Sequence, residues 1–312
     1  MSKSVLITGA NTGIGYETAL ALAKKDFRVF LGARCEEKGK RAVKKLQDAV
    51  PSANVELALF DLADLDSVRD FSKSFLDSGE QLDVLINNAG VMACPLSRTK
   101  QGFETQIGVN HLGHFLLTEE LLPRIQEAGA RHGDARIVNL ASSANYGGQL
   151  DLDDLNFERR EYQKWVAYCQ SKLANVVYSY ELDRRIAKSG VAVNAVHPGV
   201  VATELGRYLF PSMPQTSDGK ELSFVEKAVA KLAQLVLLSP ARGAEASIYM
   251  ASSPDAANVS GKYIDSVSLE PKKSNKTSYD IALQDQFTSL SRELVYTRFS
   301  KTGVDQEPAV TV

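Results

Sequence analysis

Short apolar runs alternate with longer stretches of helical periodicity through the first two thirds of the chain. Ser4 to Ile7 is one such run and predicts a strand; Tyr16 to Lys25 then repeats its apolar positions at the helical period. Further strands are expected at Arg28 to Ala33, Val55 to Leu62, Asp83 to Asn88, Arg136 to Leu140 and Val191 to Val196, with helical stretches between them. Such alternation means β-α-β units and hence a single α/β domain built on a doubly wound parallel sheet. Right-handed crossovers would set the C-terminal ends of the strands along one edge, where ligands bind in open α/β sheets.

After Thr203 this rhythm breaks. Leu205 to Pro214 is apolar and punctuated by prolines, and Gln215 to Glu221 is polar. The segment at about 204–225 is read as a lid over the substrate, with a membrane-surface patch as the alternative. Glu226 to Leu238 and Gly243 to Ala251 predict helices, Gly261 to Ile264 a last strand, Pro271 to Thr277 a connector and Ile281 to Leu294 an amphipathic closing helix. The domain is expected to run to 299, with a disordered tail from Ser300 to Val312.

Composition narrows the class. The chain has 312 residues, 44% hydrophobic and 24% charged, with a net charge of −2, the profile of an ordinary soluble globular protein. Its 36 basic residues form no stripe and are not interleaved with aromatics, so nucleic acid is not an expected partner. Cys35, Cys94 and Cys169 are too few for a disulfide framework or a zinc site, and the odd count fits a reducing compartment. No apolar run approaches the roughly 18 residues of a membrane span. The first strand starts within five residues of Met1, which predicts no signal or transit peptide and a cytoplasmic protein.

The chemistry gathers at the expected strand ends. Thr8–Gly15 spaces Gly9, Gly13 and Gly15 as G-x-x-x-G-x-G between a buried strand and a helix, where the backbone can approach a pyrophosphate and meet it with the helix N-terminus. Asn11, Thr12 and Ile14 fill the turn. The same edge collects Asp61-Leu62, Asn87-Asn88-Ala89-Gly90, Ser142-Ser143, and Pro198-Gly199 followed by Val201 and Thr203. Tyr168 and Lys172 stand at i and i+4, one face of a helix, where a lysine cation would favour the phenolate and lower the phenol's pKa. His111 and His114 share a face at i and i+3, but no third ligand at a suitable spacing makes them a metal site.

Taken in order, Thr8–Gly15, Asn87–Gly90, Ser143, Tyr168-x-x-x-Lys172 and Pro198-Gly199 resemble the motifs of the short-chain dehydrogenase/reductase superfamily, whose fold is Rossmann-type. Val109-Asn110-His111-Leu112-Gly113-His114-Phe115-Leu116-Leu117-Thr118 and the stretch Ala167 to Asn175 are similar to its retinol dehydrogenase group. So is the interval from Ser143 to Tyr168, 25 positions (168 − 143). The resemblance covers roughly residues 3 to 295. It implies that Tyr168 exchanges a proton with a carbonyl or alcohol oxygen while a nicotinamide exchanges hydride with the carbon. Ser143 would hydrogen-bond that oxygen, Lys172 would tune Tyr168 and bind the nicotinamide ribose, and Asn110 would hold a water linking Lys172 to solvent. Members of that group often carry an N-terminal membrane anchor, which is not expected here.

The end of the second strand selects the cofactor. Ala33 stands where an enzyme using NAD would carry an acid for the ribose 2′-hydroxyl; Arg34 offers a cationic fork suited to a 2′-phosphate, and Asn11 adds a neutral donor. Glu36 and Glu37 follow, read as solvated first-turn helix residues. The expectation is thus an NADP(H)-dependent oxidoreductase acting on a small lipophilic carbonyl or alcohol, retinal-like or another long-chain aldehyde or ketone. Ser143, Trp165, Leu205, Tyr208, Leu209 and Phe210 would line its substrate site. A homodimer and peripheral membrane contact are left open. The rivals are a carbon–carbon double-bond reductase of the protochlorophyllide reductase type, whose long insertion before the Tyr-Lys pair is missing here, and a non-catalytic nicotinamide sensor.

Overall fold

The computed structural model of the chain describes residues 2–199, 201 and 238–297. Its strands are β1 (Ser4–Ile7), β2 (Arg28–Ala33), β3 (Val55–Leu59), β4 (Val84–Asn87), β5 (Ala135–Leu140), β6 (Val191–His197), β7 (Lys262–Asp265) and β8 (Pro271–Lys272), joined in one sheet in the order β3-β2-β1-β4-β5-β6-β7-β8. All neighbours are parallel except β7 and β8. From β1 the chain winds outward to β3, then returns to β4 on the other side of β1 and winds the opposite way. The reversal between β1 and β4 opens a crevice at their C-terminal ends.

The helices are α1 (Gly13–Ala23), α2 (Glu36–Ala49), α3 (Leu65–Asp77), a single turn α4 (Thr105–Ile107), α5 (Gly113–His132), α6 (Lys164–Arg185), α7 (Pro240–Ser252) and α8 (Ile281–Tyr296). A π-helical turn, Gly108–Leu112, joins α4 to α5. Strand side chains alternate between two cores. Leu6, Leu85 and Ile137 pack with Val68 of α3, Phe115 of α5 and Leu182 of α6, while Val5, Ile7, Val84, Ile86 and Val138 pack with Leu22 of α1, Leu46 of α2 and Met250 of α7. Both faces are thus covered, which is why these strands read as continuous apolar runs. Local caps set the helix ends: Asp64 accepts from Asp66 N–H at the start of α3, and Asp280 accepts from Ala282 and Leu283 N–H at the start of α8. α8 is tied to α5 and α6 by Arg292, which donates to Glu119 of α5 at 3.0 Å, the carboxylate that also accepts from Tyr178 and Arg185 of α6.

Three expectations need correction. β3 ends at Leu59 rather than Leu62, because the Asp61 carboxylate accepts from Ala63 N–H (2.9 Å) and turns the chain towards α3. Pro271 to Thr277 is not only a connector: Pro271–Lys272 pairs antiparallel with β7 at the sheet edge, where a residue lacking an N–H is tolerated. A 3₁₀ turn, Lys276–Tyr279, follows it. The closing helix runs on to Tyr296. The lid, the helix at Glu226 to Leu238 (apart from Leu238) and the tail lie outside the described residues. No helix among the described residues is long and apolar enough to cross a membrane.

His111 and His114 sit at the π-turn and the start of α5, fully buried. Burial brings His111 down to about 3 and His114 to about 4, so both are neutral in the fold. The unfolded chain takes up these protons below about pH 6.5, so stability should fall as pH drops from there towards about 4, by on the order of 2 kcal/mol per histidine at pH 5. Urea unfolding at pH 7.5 and 5.0 measures the loss. His111→Asn should lose less over that interval, and a loss equal to the wild type's would show that His111 is not the source.

Candidate active site

The glycine turn follows β1 directly. Gly9 (φ +62°) and Gly13 (φ +57°) take left-handed backbone, and a Cβ on Gly15 would lie 2.5 Å from Gly9 O and 2.5 Å from Asn88 Nδ2. Thr12 is the N-cap of α1, but its side chain makes no cap bond and the first turn carries no acid. The turn therefore offers N–H groups and a positive helix end with no side chain filling them, a cradle that fits a pyrophosphate. Behind it, the buried Thr8 hydroxyl accepts from Asn88 N–H (2.9 Å) and Ala89 N–H (2.8 Å) and meets His114 Nε2 (2.8 Å), while Asn88 Nδ2 donates to Thr8 O (2.7 Å). β1 and β4 are thus bolted together where they flank the crevice.

α6 brings Tyr168 and Lys172 to the other wall. Lys172 Nζ donates to Leu140 O at the end of β5 (3.0 Å) and lies 5.8 Å from the Tyr168 ring centroid. Burial lowers the Lys172 ammonium to about 8. Burial also pushes the Tyr168 phenol up to about 12, against the opposing pull of the Ser142 hydroxyl beside it. The expected lowering of the phenol by Lys172 is therefore absent in the protein alone: desolvation wins.

That neighbour also corrects the serine. The hydroxyl that meets Tyr168 belongs to Ser142, which caps the 3₁₀ turn Ser143–Gly147 and accepts from Ala144 N–H (3.2 Å). Ser143 begins the turn, exposes its side chain, and donates its backbone N–H to His197 Nδ1 (3.2 Å). Adjacent residues leaving a strand point to opposite sides, so only one of the two serines can face the phenol.

Asn110 lies in the π-turn, fully buried, with its amide spent on protein partners: Oδ1 accepts from Val91 N–H (2.8 Å), and Nδ2 donates to Val91 O and Ser171 Oγ (2.9 Å each). It staples the strand-β4 turn to the residue before Lys172. Its carbonyl accepts from His114 Nδ1 (3.1 Å).

These elements enclose a cleft of about 840 Å³. Of the candidate residues, Gly9, Asn11, Thr12, Gly13, Ile14, Gly15, Arg34, Asp61, Leu62, Asn88, Ala89, Gly90, Ser143, Trp165, Tyr168, Lys172, Pro198, Gly199 and Val201 line it. Asn110 stands just behind the wall, at Gly90. Thr203, Leu205, Tyr208, Leu209 and Phe210 lie outside the described residues. Sequence reasoning missed Lys38, Met92, Thr105 and Cys169, which also line the cleft, and it placed Ser142 at the right edge without giving it a role. Arg34 and Lys38 carry no ion pair among the described residues, whereas Glu36 pairs with Lys40 (2.6 Å) and Glu37 with Arg41 (3.0 Å) along α2. Among the described residues, no three His, Cys, Asp or Glu side chains meet as a metal site.

Thr8→Val keeps the shape but strips the Ala89 N–H and the His114 imidazole of their partner and leaves Asn88 N–H only Ile86 O. Unfolding free energy should drop by about 2–4 kcal/mol and nicotinamide affinity should fall with it. Denaturant titration and fluorescence titration of the cofactor check this; unchanged stability would show that water satisfies the exposed groups.

The profile described as short chain dehydrogenase matches residues 3–213. Retinol dehydrogenase 13 of Homo sapiens is 44% identical over 263 residues, covering 84% of this chain and 76% of the relative. Among solved structures, an uncharacterised protein from Mycobacterium paratuberculosis is similar at 33% identity and a TM-score of 0.73, over 94% of this chain and 93% of that one. A variant of actinorhodin polyketide ketoreductase with NADPH is similar at 27% identity and a TM-score of 0.63, over 85% and 95%. The glycine turn, the Tyr168–Lys172 helix and these likenesses agree, and the chain belongs to the short-chain dehydrogenase family, similar within it to the retinol dehydrogenases.

Proposed function

We propose that the protein is an NADP(H)-dependent oxidoreductase that interconverts a lipophilic carbonyl compound and its alcohol. Its family makes it an oxidoreductase of CH–OH and C=O groups that works with a nicotinamide. The observation that carries the reading is the convergence of Tyr168, Lys172 and Ser142 on the cleft opposite the glycine cradle. A bound nicotinamide would supply or accept the hydride. Tyr168, protonated at pH 7, would give its proton to the carbonyl oxygen in reduction, and Ser142 would hydrogen-bond the same oxygen as charge develops there. Lys172 would hold the nicotinamide ribose, and a water link to Lys172 would run through the Asn110 carbonyl, since the amide is engaged. Arg34 and Lys38, with Asn11, would receive a 2′-phosphate; that neither cation is in an ion pair among the described residues, and that Glu36 and Glu37 pair elsewhere, support NADP over NAD. Met92, Val109 and Trp165 give the substrate end an apolar lining, which supports a lipophilic substrate.

NADPH oxidation across retinal, medium-chain aldehydes, steroid ketones and quinones tests the activity, and a silent panel would overturn it. Tyr168→Phe should keep cofactor binding and cut turnover by about 10²–10⁴-fold. Ser142→Ala should cost more turnover than Ser143→Ala; the reverse order would return the role to Ser143. Arg34→Ala removes a charged hydrogen bond of about 1.5–3 kcal/mol, so NADPH affinity should weaken by roughly ten- to a hundredfold while NADH hardly changes. Lys38→Ala should act in the same direction. Equal losses for both cofactors, or a wild-type preference for NADH, would reverse the assignment.

A further inference from the structure

β5 and β6 both end at the cleft, and a hydrogen bond joins the two turns that follow them. Ser143 N–H donates to Nδ1 of His197 at 3.2 Å. Ser143 directly follows Ser142, and His197 directly precedes Pro198-Gly199, so the bond links the turn that carries the hydroxyl beside Tyr168 to the neighbouring turn that lines the same cleft. The sequence motifs give His197 no part.

We propose that His197 is a positioning residue of this site: its neutral ring holds, through Nδ1, the turn that carries Ser142 against Tyr168, and protonating the ring releases that turn. The proposal rests on the functional reading above for the role of Ser142. The chemistry is that of the imidazole ring. A nitrogen that accepts an N–H must present a lone pair, so the proton of neutral His197 sits on Nε2. Once protonated, the ring carries N–H on both nitrogens, and the contact with Ser143 becomes donor against donor.

The groups around the ring favour the neutral form at pH 7. Burial acts first and lowers the pKa below its ordinary value; Lys272 of β8 and Lys172 of α6 act in the same direction. Asp265, its register partner on β7, opposes them. That carboxylate is already shared with Lys272 (3.0 Å) and the N–H groups of Val267 and Ser268 (3.1 Å each). His197 therefore gains its charge as pH falls below about 6.5, and turnover should fall in the same direction. Tyr168 and Lys172 titrate on the alkaline side, at about 12 and about 8, and cannot produce an acid limb.

Two variants separate positioning from bulk. In His197→Asn the side-chain carbonyl can take the place of Nδ1, accept the same N–H and never titrate. His197→Phe keeps a ring and has no acceptor. The first measurement is the Ser143 amide shift by ¹H–¹⁵N NMR between pH 5 and 8, which needs no turnover; the second is the pH dependence of kcat with the best aldehyde of the panel. In the wild type the Ser143 amide should titrate on the acid side and kcat should fall in step with it, by up to about five- to tenfold once the ring is protonated, the loss set by one hydrogen bond. His197→Asn should flatten both curves and keep kcat near the wild-type value at pH 7.5. His197→Phe should lower kcat about five- to tenfold at every pH, with cofactor Kd within about twofold of wild type. A wild-type acid limb in His197→Asn, a normal kcat in His197→Phe, or a wild-type Ser143 amide blind to pH would each overturn the proposal. No turnover on any substrate beside a normal Ser143 titration would instead overturn the functional reading on which it rests.

Discussion

The hydroxyl of Thr8 is the junction on which the site depends. It has one proton and two lone pairs, and all three are used: two backbone N–H groups of the Asn88-Ala89 turn are accepted, and the proton goes to His114. The direction of the last bond follows from the other ring nitrogen. Nδ1 faces the Asn110 carbonyl, which can only accept, so Nδ1 carries the ring proton and Nε2 receives the Thr8 hydroxyl. From Asn110 the connection continues through its amide to Ser171, next to Lys172. A hydrogen-bonded path therefore runs from the glycine turn to α6, and its links are expensive to break where nothing polar replaces them. The π-helical turn at Gly108–Leu112 belongs to the same arrangement, since it is the segment that presents both the Asn110 amide and its carbonyl.

Burial also decides which protons Tyr168 and Lys172 hold. Desolvation penalises the charged form of each, so it raises the phenol and lowers the ammonium. With the phenol near 12, Tyr168 is a donor at neutral pH, suited to reduction. With the ammonium near 8, Lys172 keeps most of its charge at pH 7 but is not locked in it. Leu140 O, which accepts from both Lys172 and Asn175, fixes where that charge sits.

Much of this was legible in one dimension because the physics is local or strongly patterned. Strands covered on both faces must be apolar throughout, so β1, β2, β4, β5 and β6 stood out from the helices between them. The crowded approach at Gly15 leaves a spacing in the chain, and the helical offset of Tyr168 and Lys172 leaves another. The choice between Ser142 and Ser143 left no such trace. It depends on the direction in which the chain leaves β5, and two adjacent serines are identical in every local property. β8 is two residues long and begins with proline, too short for periodicity to register. Met92 and Thr105 reach the cleft only through tertiary packing.

Lys38 is different, because a signal existed. On α2, Lys40 and Arg41 each have a glutamate four positions earlier, Glu36 and Glu37, and the structure pairs them so. Lys38 has Arg34 at that offset, a like charge just before the helix, and among the described residues neither is in an ion pair. Two cations lining one cleft repel mildly, and an anion bound beside them would offset that cost. The acids stay exposed and paired along α2, while Arg34, just before the helix, and Lys38, in its first turn, line the cleft where the end of β2 meets the glycine turn. Glu36 and Glu37, the best argument for NAD in the bare sequence, are instead held in ion pairs along α2 and do not line the cleft.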